Sequence, residues 1–138
     1  MESIVKYNGD DFNIFIVNDE SFSKLLEDWN IVLSNVAEPM KEKARKLGMC
    51  KLLYKYGGMF IPRSFLSTCN LKNMYLDGVR HNKMFCGESI NRSTSQFDNE
   101  FMASNIIMGC MKFNGNMKSY VDYLHDLVKN DYTNESNV

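Results

Sequence analysis

Residues of the types that bind or transform ligands gather in two stretches of the chain, Gly57 to Ser64 and Glu88 to Glu100. In the first, Gly57-Gly58 lets the backbone approach a ligand closely, because glycine has no Cβ to hold it off. A helix end followed by a turn asks for the same pair. Arg63 carries a rigid fork of donors that can counter phosphate charge, and on a surface it needs no such role. Ser64 can bond a sugar hydroxyl or a phosphate oxygen, while Pro62-Arg63-Ser64 is equally good turn chemistry. In the second stretch, Glu88, Asn91, Arg92 and Thr94 mix an acid, a base, an amide and a hydroxyl, a set suited to holding a carbohydrate. Asp98-Asn99-Glu100 brings together carboxylates that can bind a divalent ion or supply a general base. No apolar strand precedes that triplet, and a solvated loop has the same composition.

Other polar groups read more plainly. Asp122, His125 and Asp126 fall on the wet side of a predicted helix. Arg45, Lys51 and Lys55, near Tyr54 and Tyr56, form a basic strip of the kind whose stems cover an apolar surface while the charges stay in water. The four cysteines, Cys50, Cys69, Cys86 and Cys110, lie 19, 17 and 24 positions apart without a C-x-x-C, and the chain has only two histidines. That pattern argues against a zinc cage and reads as buried reduced thiols, which fits a reducing, cytoplasmic setting; the alternative, a disulfide framework, needs an oxidising compartment. A formal net charge of -1 gives no global field for nucleic acid. No apolar run reaches the length that spans a bilayer, and Met1 to Asp11 lacks the pattern of a secretory signal.

The elements that must position these residues follow from periodicity. At 138 residues and 44% hydrophobic, the chain supports one core, hence a single domain over 1–138. Phe12 to Val17 is an almost continuous β-branched and aromatic run, read as a buried strand. Asn18 to Ser21 then supply a cap and acids for a short helix reaching Glu27. Pro39 opens a long helix over 39–56, with Met40, Ala44, Leu47, Met49, Leu52, Leu53 and Tyr56 on its apolar side, and Gly57 ends it. Met59 to Ile61 is a strand stopped by Pro62, Leu71 to Leu76 a short helix, and Lys83 to Glu88 and Asn105 to Cys110 are further strands. Met117, Tyr120, Val121, Leu124, Leu127 and Val128 give the spacing of an amphipathic helix over 116–128. The expected fold is α/β, a small mixed or parallel sheet covered by the two long helices.

One segment carries a resemblance. "ARKLGMCKLLYKYGGMFIPRSFLSTCNLKN", from Ala44 to Asn73, puts a basic, apolar helix before Tyr56-Gly57-Gly58 and a strand after it. It resembles the sugar-nucleotide-binding segment of family 32 and capsular-polysaccharide-type glycosyltransferases, whose helix ends in Leu-Tyr-x-Tyr-Gly-Gly and runs into a strand ending in Asp-x-Asp. Those aspartates hold Mg²⁺ or Mn²⁺ against the diphosphate of a nucleotide sugar. Here the aligned positions are Pro62 and Ser64, with Arg63 between them, so the usual metal ligands are absent. The family's Asp and Arg on the preceding helix correspond to Lys46 and Met49. The stretches "FCGESINRSTS" and "IIMGCMKFNGNMKSYVDYL" look like a variant associated with large DNA viruses, in which Pro-x-Ser replaces Asp-x-Asp.

The resemblance implies part of a GT-A, Rossmann-like domain that omits the first nucleotide-binding strand. It implies a glycosyltransferase-like function, degenerate or metal-independent, with a nucleotide sugar and a glycan acceptor as partners. Gly57, Gly58, Ser64, Asn91 and Arg92 would then line the donor pocket, Arg63 would stabilise the leaving diphosphate, and Glu88 or Asp98 would be the acceptor's base. Two further readings belong to other classes. One is a non-catalytic virion or assembly component that reuses the scaffold, and the other is a small carbohydrate-binding module.

Overall fold

The computed structural model describes residues 1–88 and 102–135. In chain order these form α1 (Glu2–Asn8), α2 (Ser21–Leu25), α3 (Met40–Tyr56), β1 (Gly58–Phe60), α4 (Lys72–Gly78), β2 (Phe85–Glu88), β3 (Ala103–Cys110) and α5 (Gly115–Glu135). Single 3₁₀ turns occur at Leu33–Asn35 and Arg80–Asn82.

Both long helices stand where the apolar spacing predicts them. α3 begins after Pro39 and ends at Gly57, whose φ of 74° lies in the left-handed region and whose N–H reaches the Leu53 carbonyl at 2.8 Å. α5 starts under the Asn114 side chain, whose Oδ1 accepts the Met117 N–H at 2.8 Å, and it runs a turn and more beyond the predicted end. The turn leading into α2 is closed by Asn18, whose Oδ1 accepts the N–H groups of Glu20 and Ser21, while Glu20 at the cap position makes no side-chain capping bond.

The sheet has three strands in the order β1-β3-β2. Both pairings are antiparallel, which corrects the expectation of a parallel or mixed sheet. β1 and β2 do run in the same direction, but β3 returns between them and separates them. The alternation of side chains then sorts the two faces. Phe60, Met108 and Cys110 meet α3 and α5 in a core with Leu47, Cys50, Leu53, Met117 and Leu124. Met59, Gly109 and Phe85 stand in one row on the other face. A Cβ on Gly109 would lie 2.4 Å from the Phe85 ring, so that ring rests directly on the strand backbone. α4 covers this face, with Tyr75 edge-on to Phe85 at 6.0 Å between ring centres.

A second cluster, Phe22, Leu26, Leu33, Ala44 and Leu52, packs the chain before α3 onto that helix, and the Phe22 ring occupies the space that a Cβ on Gly48 would need. The amino-terminal helix α1, which the sequence pattern did not announce, is held by buried Asn8. Its Nδ2 donates to the Ile4 carbonyl and to Ser67 Oγ, and its Oδ1 accepts the Leu71 N–H at 2.7 Å.

The Phe12–Val17 run is not a buried strand. It pairs with no strand of the sheet, and Phe15 is 79% and Ile16 59% exposed. Its ends are tied by side chains instead, Phe12 against Tyr75 and Val17 against the second cluster. Among the described residues no helix is long and apolar enough to cross a membrane.

Candidate functional site at the carboxyl end of the sheet

The glycine pair lies at the amino end of β1 and is enclosed by its own fold. A Cβ on Gly57 would come within 2.9 Å of the Lys112 backbone nitrogen, so glycine is needed there for the approach of the loop that follows β3. Gly58 has a φ of 100° and open space around its α-carbon, but its N–H donates to the Tyr75 hydroxyl at 3.2 Å. That hydroxyl donates in turn to the Cys110 carbonyl at 3.1 Å, bridging the ends of β1 and β3. Burial pushes the Tyr75 pKa up, so the phenol keeps the proton it donates.

Pro62, Arg63 and Ser64 lie beyond the opposite end of β1. The Phe65 N–H donates to the Pro62 carbonyl at 3.0 Å, closing a turn that leaves Arg63 and Ser64 exposed. Arg63 makes no ion pair among the described residues. Because β1 and β2 are both antiparallel to β3, their carboxyl ends share one end of the sheet. Exposed Glu88, the last residue of β2, pairs there with Ala103. Asn91, Arg92, Thr94, Asp98 and Glu100, the other predicted site residues, lie outside the described residues.

The same end of the sheet gains a residue that sequence reasoning had treated only as a replaced aspartate. Half-buried Lys46 of α3 sets its Nζ 4.7 Å from the centre of the Phe60 ring and donates to the Asn105 carbonyl. The carbonyl is accessible because the β2–β3 register jumps between Cys86↔Met108 and Gly87↔Ser104, which takes Asn105 to Ile107 out of the β2 ladder. Asn105 Nδ2 donates to the Tyr120 hydroxyl at 3.5 Å. Burial holds the Lys46 pKa below the ordinary lysine value, against the opposing pull of Cys50 and Glu42. No carboxylate pairs with this ammonium among the described residues. The usable signal was spacing, since Lys46, Cys50 and Leu53 fall on one face of a helix and that face turns to the sheet.

The core thiols offer no reactivity. Burial pushes Cys50 up to about 12 and Cys110 up to about 11, so neither supplies thiolate at neutral pH. Among the described residues no cluster of His, Cys, Asp and Glu is placed to hold a metal ion. A cavity of about 610 Å³ lies elsewhere, between residues 28–36, α3 and α5. Set beside family models, curated proteins and solved structures, the chain matches none of them.

Proposed function

We propose that this chain is a glycosyltransferase-like domain that binds the diphosphate of a nucleotide sugar without a divalent cation. One observation carries the reading: at the sheet end where the resembled family places two acids, the chain has a Pro62–Phe65 turn bearing Arg63, with the half-buried ammonium of Lys46, which forms no ion pair among the described residues, at the same end. Two cations at an end that lacks the Asp-x-Asp carboxylates favour an anionic ligand directly, and the partly desolvated site of Lys46 strengthens that attraction relative to water. Gly57-Gly58 acts in this reading as the turn that delivers β1, and Ser64 as a hydroxyl partner at the binding edge. Glu88, at the neighbouring strand end, is the acceptor's base if transfer is retained. Loss of transfer with retention of the anion site is the favoured form, because the cation that assists departure of the diphosphate in the resembled enzymes lacks its Asp-x-Asp ligands here, Pro62 and Ser64 standing at those positions.

The test is calorimetric titration with UDP- and GDP-linked sugars, with and without Mn²⁺. Binding should be indifferent to Mn²⁺ and weaken at least about tenfold, roughly 1.4 kcal/mol, in both Arg63→Ala and Lys46→Met. Binding that requires Mn²⁺, or that neither substitution alters, overturns the proposal.

A second reading, the non-catalytic assembly component, is favoured by the exposed Phe15 and Ile16, an apolar pair of a kind that marks contact surfaces. It requires Phe15→Asp to abolish association with the assembly while leaving nucleotide-sugar binding unaltered.

A further inference from the structure

The cavity between residues 28–36, the first half of α3 and the second half of α5 has the construction of a second ligand site. Its volume of about 610 Å³ falls inside the range of small-molecule sites, roughly 300 to 1,000 Å³. The residues it uses on α3, Met40, Ala44, Leu47 and Lys51, lie on a different face of that helix from Lys46, so it is separate from the sheet-end site and does not depend on the reading given to it.

Trp29 gives the cavity a fixed aromatic wall. Its indole leans on Phe22, with 5.0 Å between ring centres and an interplanar angle of 38°, and Phe22 is itself buried where Gly48 leaves room for it. Next to Trp29 in the chain, Asp28 accepts from Lys51 Nζ at 3.0 Å, and the Asp28 side chain remains 72% exposed. That contact keeps the Asp28 pKa below its usual value, so the group is an acceptor at neutral pH. Asn30 and Asn35 add amides, each able to donate and accept. The ion pair joins the opposite charges of Asp28 and Lys51 on this wall, and His125 and Lys129 of α5 also line the cavity.

A rigid indole flanked by a charged acceptor and two amides, over an apolar floor, fits a ligand with one face of C–H groups and a rim of hydroxyls. We propose that this cavity binds a neutral pyranose, of mono- or disaccharide size, stacked on Trp29 with its hydroxyls donating to Asp28.

Trp29 is the only tryptophan in the chain, so its emission reports on the site directly. The full chain is titrated with neutral mono- and disaccharides, in the absence of nucleotide, and Trp29 fluorescence and its quenching by iodide are followed. The expected result is a saturable change with a dissociation constant of about 1 mM or tighter, and protection from iodide. Asp28→Asn and, separately, Asn35→Ala should weaken binding at least about tenfold with the thermal midpoint within a few degrees of the parent, since both side chains are exposed. The proposal is overturned by the absence of a saturable response to every neutral sugar, by a response that both variants retain, or by one seen only with phosphorylated or nucleotide-bearing sugars.

Discussion

Two runs of this chain have nearly the same apolar, β-prone character and opposite fates. Ala103–Cys110 becomes the central strand, paired on one edge with β1 and on the other with β2, and Met108 and Cys110 are buried under α3 and α5. Phe12–Val17 is richer in aromatic and β-branched residues, yet it pairs with neither free edge and leaves Phe15 and Ile16 in water. β-propensity describes a side chain's fit to a pleated, half-covered surface, so it produces a strand only where a neighbour supplies the ladder and a helix supplies the cover. β3 has both. The early run has a helix cluster at its far end and an aromatic contact at its near end, but no partner strand.

The widest gap between the runs should be energetic. Met108→Ala removes a side chain that is 3% exposed and leaves a cavity beneath α3, with an expected loss of about 2 to 5 kcal/mol in urea unfolding. Phe15→Ala removes a larger side chain that is already in water, and should shift stability by no more than about 0.5 kcal/mol. Comparable losses in the two variants would mean that Phe12–Val17 is covered in solution, and the contrast would collapse.

Gly109→Ala probes the other face of the same central strand. The added methyl would lie 2.4 Å from the Phe85 ring and 2.9 Å from the Met59 Cβ. The ring cannot retreat freely, because Tyr75 packs against it and a Cβ on Gly78 would also strike it. An overpacking cost of about 1 to 3 kcal/mol is expected, read from the same urea transition. A neutral outcome would show that the α4 layer is loose and that only the α3–α5 side defines β3.

How much of this was legible depended on whether a feature is local. The two long helices were, because their apolar spacing repeats over several turns and the ends carry Pro39 and Gly57. β2 and β3 were visible as short apolar runs, but their antiparallel order was not, since nothing within a strand encodes which neighbour it meets. Phe12–Val17 was misread for the same reason. At the site, the exposure and turn of Arg63 and Ser64 followed from Pro62, whereas the Lys46 contact with Phe60 and Asn105 joins residues from three elements and depends on an irregular register in β3. The Trp29 cavity likewise draws on α3, α5 and the segment between α2 and α3.

Lys46→Met separates a ligand group from a structural one along the border of β3. The substitution removes a donor to the Asn105 carbonyl and a cation over Phe60, but it also removes a charge that burial disfavours. These effects offset, and stability should change by less than about 1 kcal/mol while binding of anionic ligands falls. A destabilisation as large as that of Met108→Ala would make Lys46 a strut of the central strand.

The smallest expected effect concerns the anchor that follows the early run. Asp19 accepts from Arg45 Nε at 2.7 Å and from Nη2 at 2.8 Å, a two-point contact that ties the segment after Val17 to α3. The hydrogen bonding to Arg45 holds the Asp19 carboxyl below the ordinary aspartate range, against a smaller effect of burial. A carboxylate whose folded pKa is depressed contributes stability that is complete above its unfolded pKa and disappears as pH falls through the folded value. Both side chains are about two-fifths exposed, 42% for Arg45 and 38% for Asp19, so solvent screening limits the contribution to about 1 kcal/mol or less. Asp19→Asn should therefore be slightly less stable than the parent at pH 7, and the difference should shrink below about pH 4 as the parent loses the same contact. If the contact is what holds the unpaired run in place, amide exchange between Asn13 and Val17 should quicken in the variant at pH 7 while exchange in β3 stays unchanged. Equal quickening in both runs would show that they unfold as one unit, and that the absence of a partner strand gives the early run no independence.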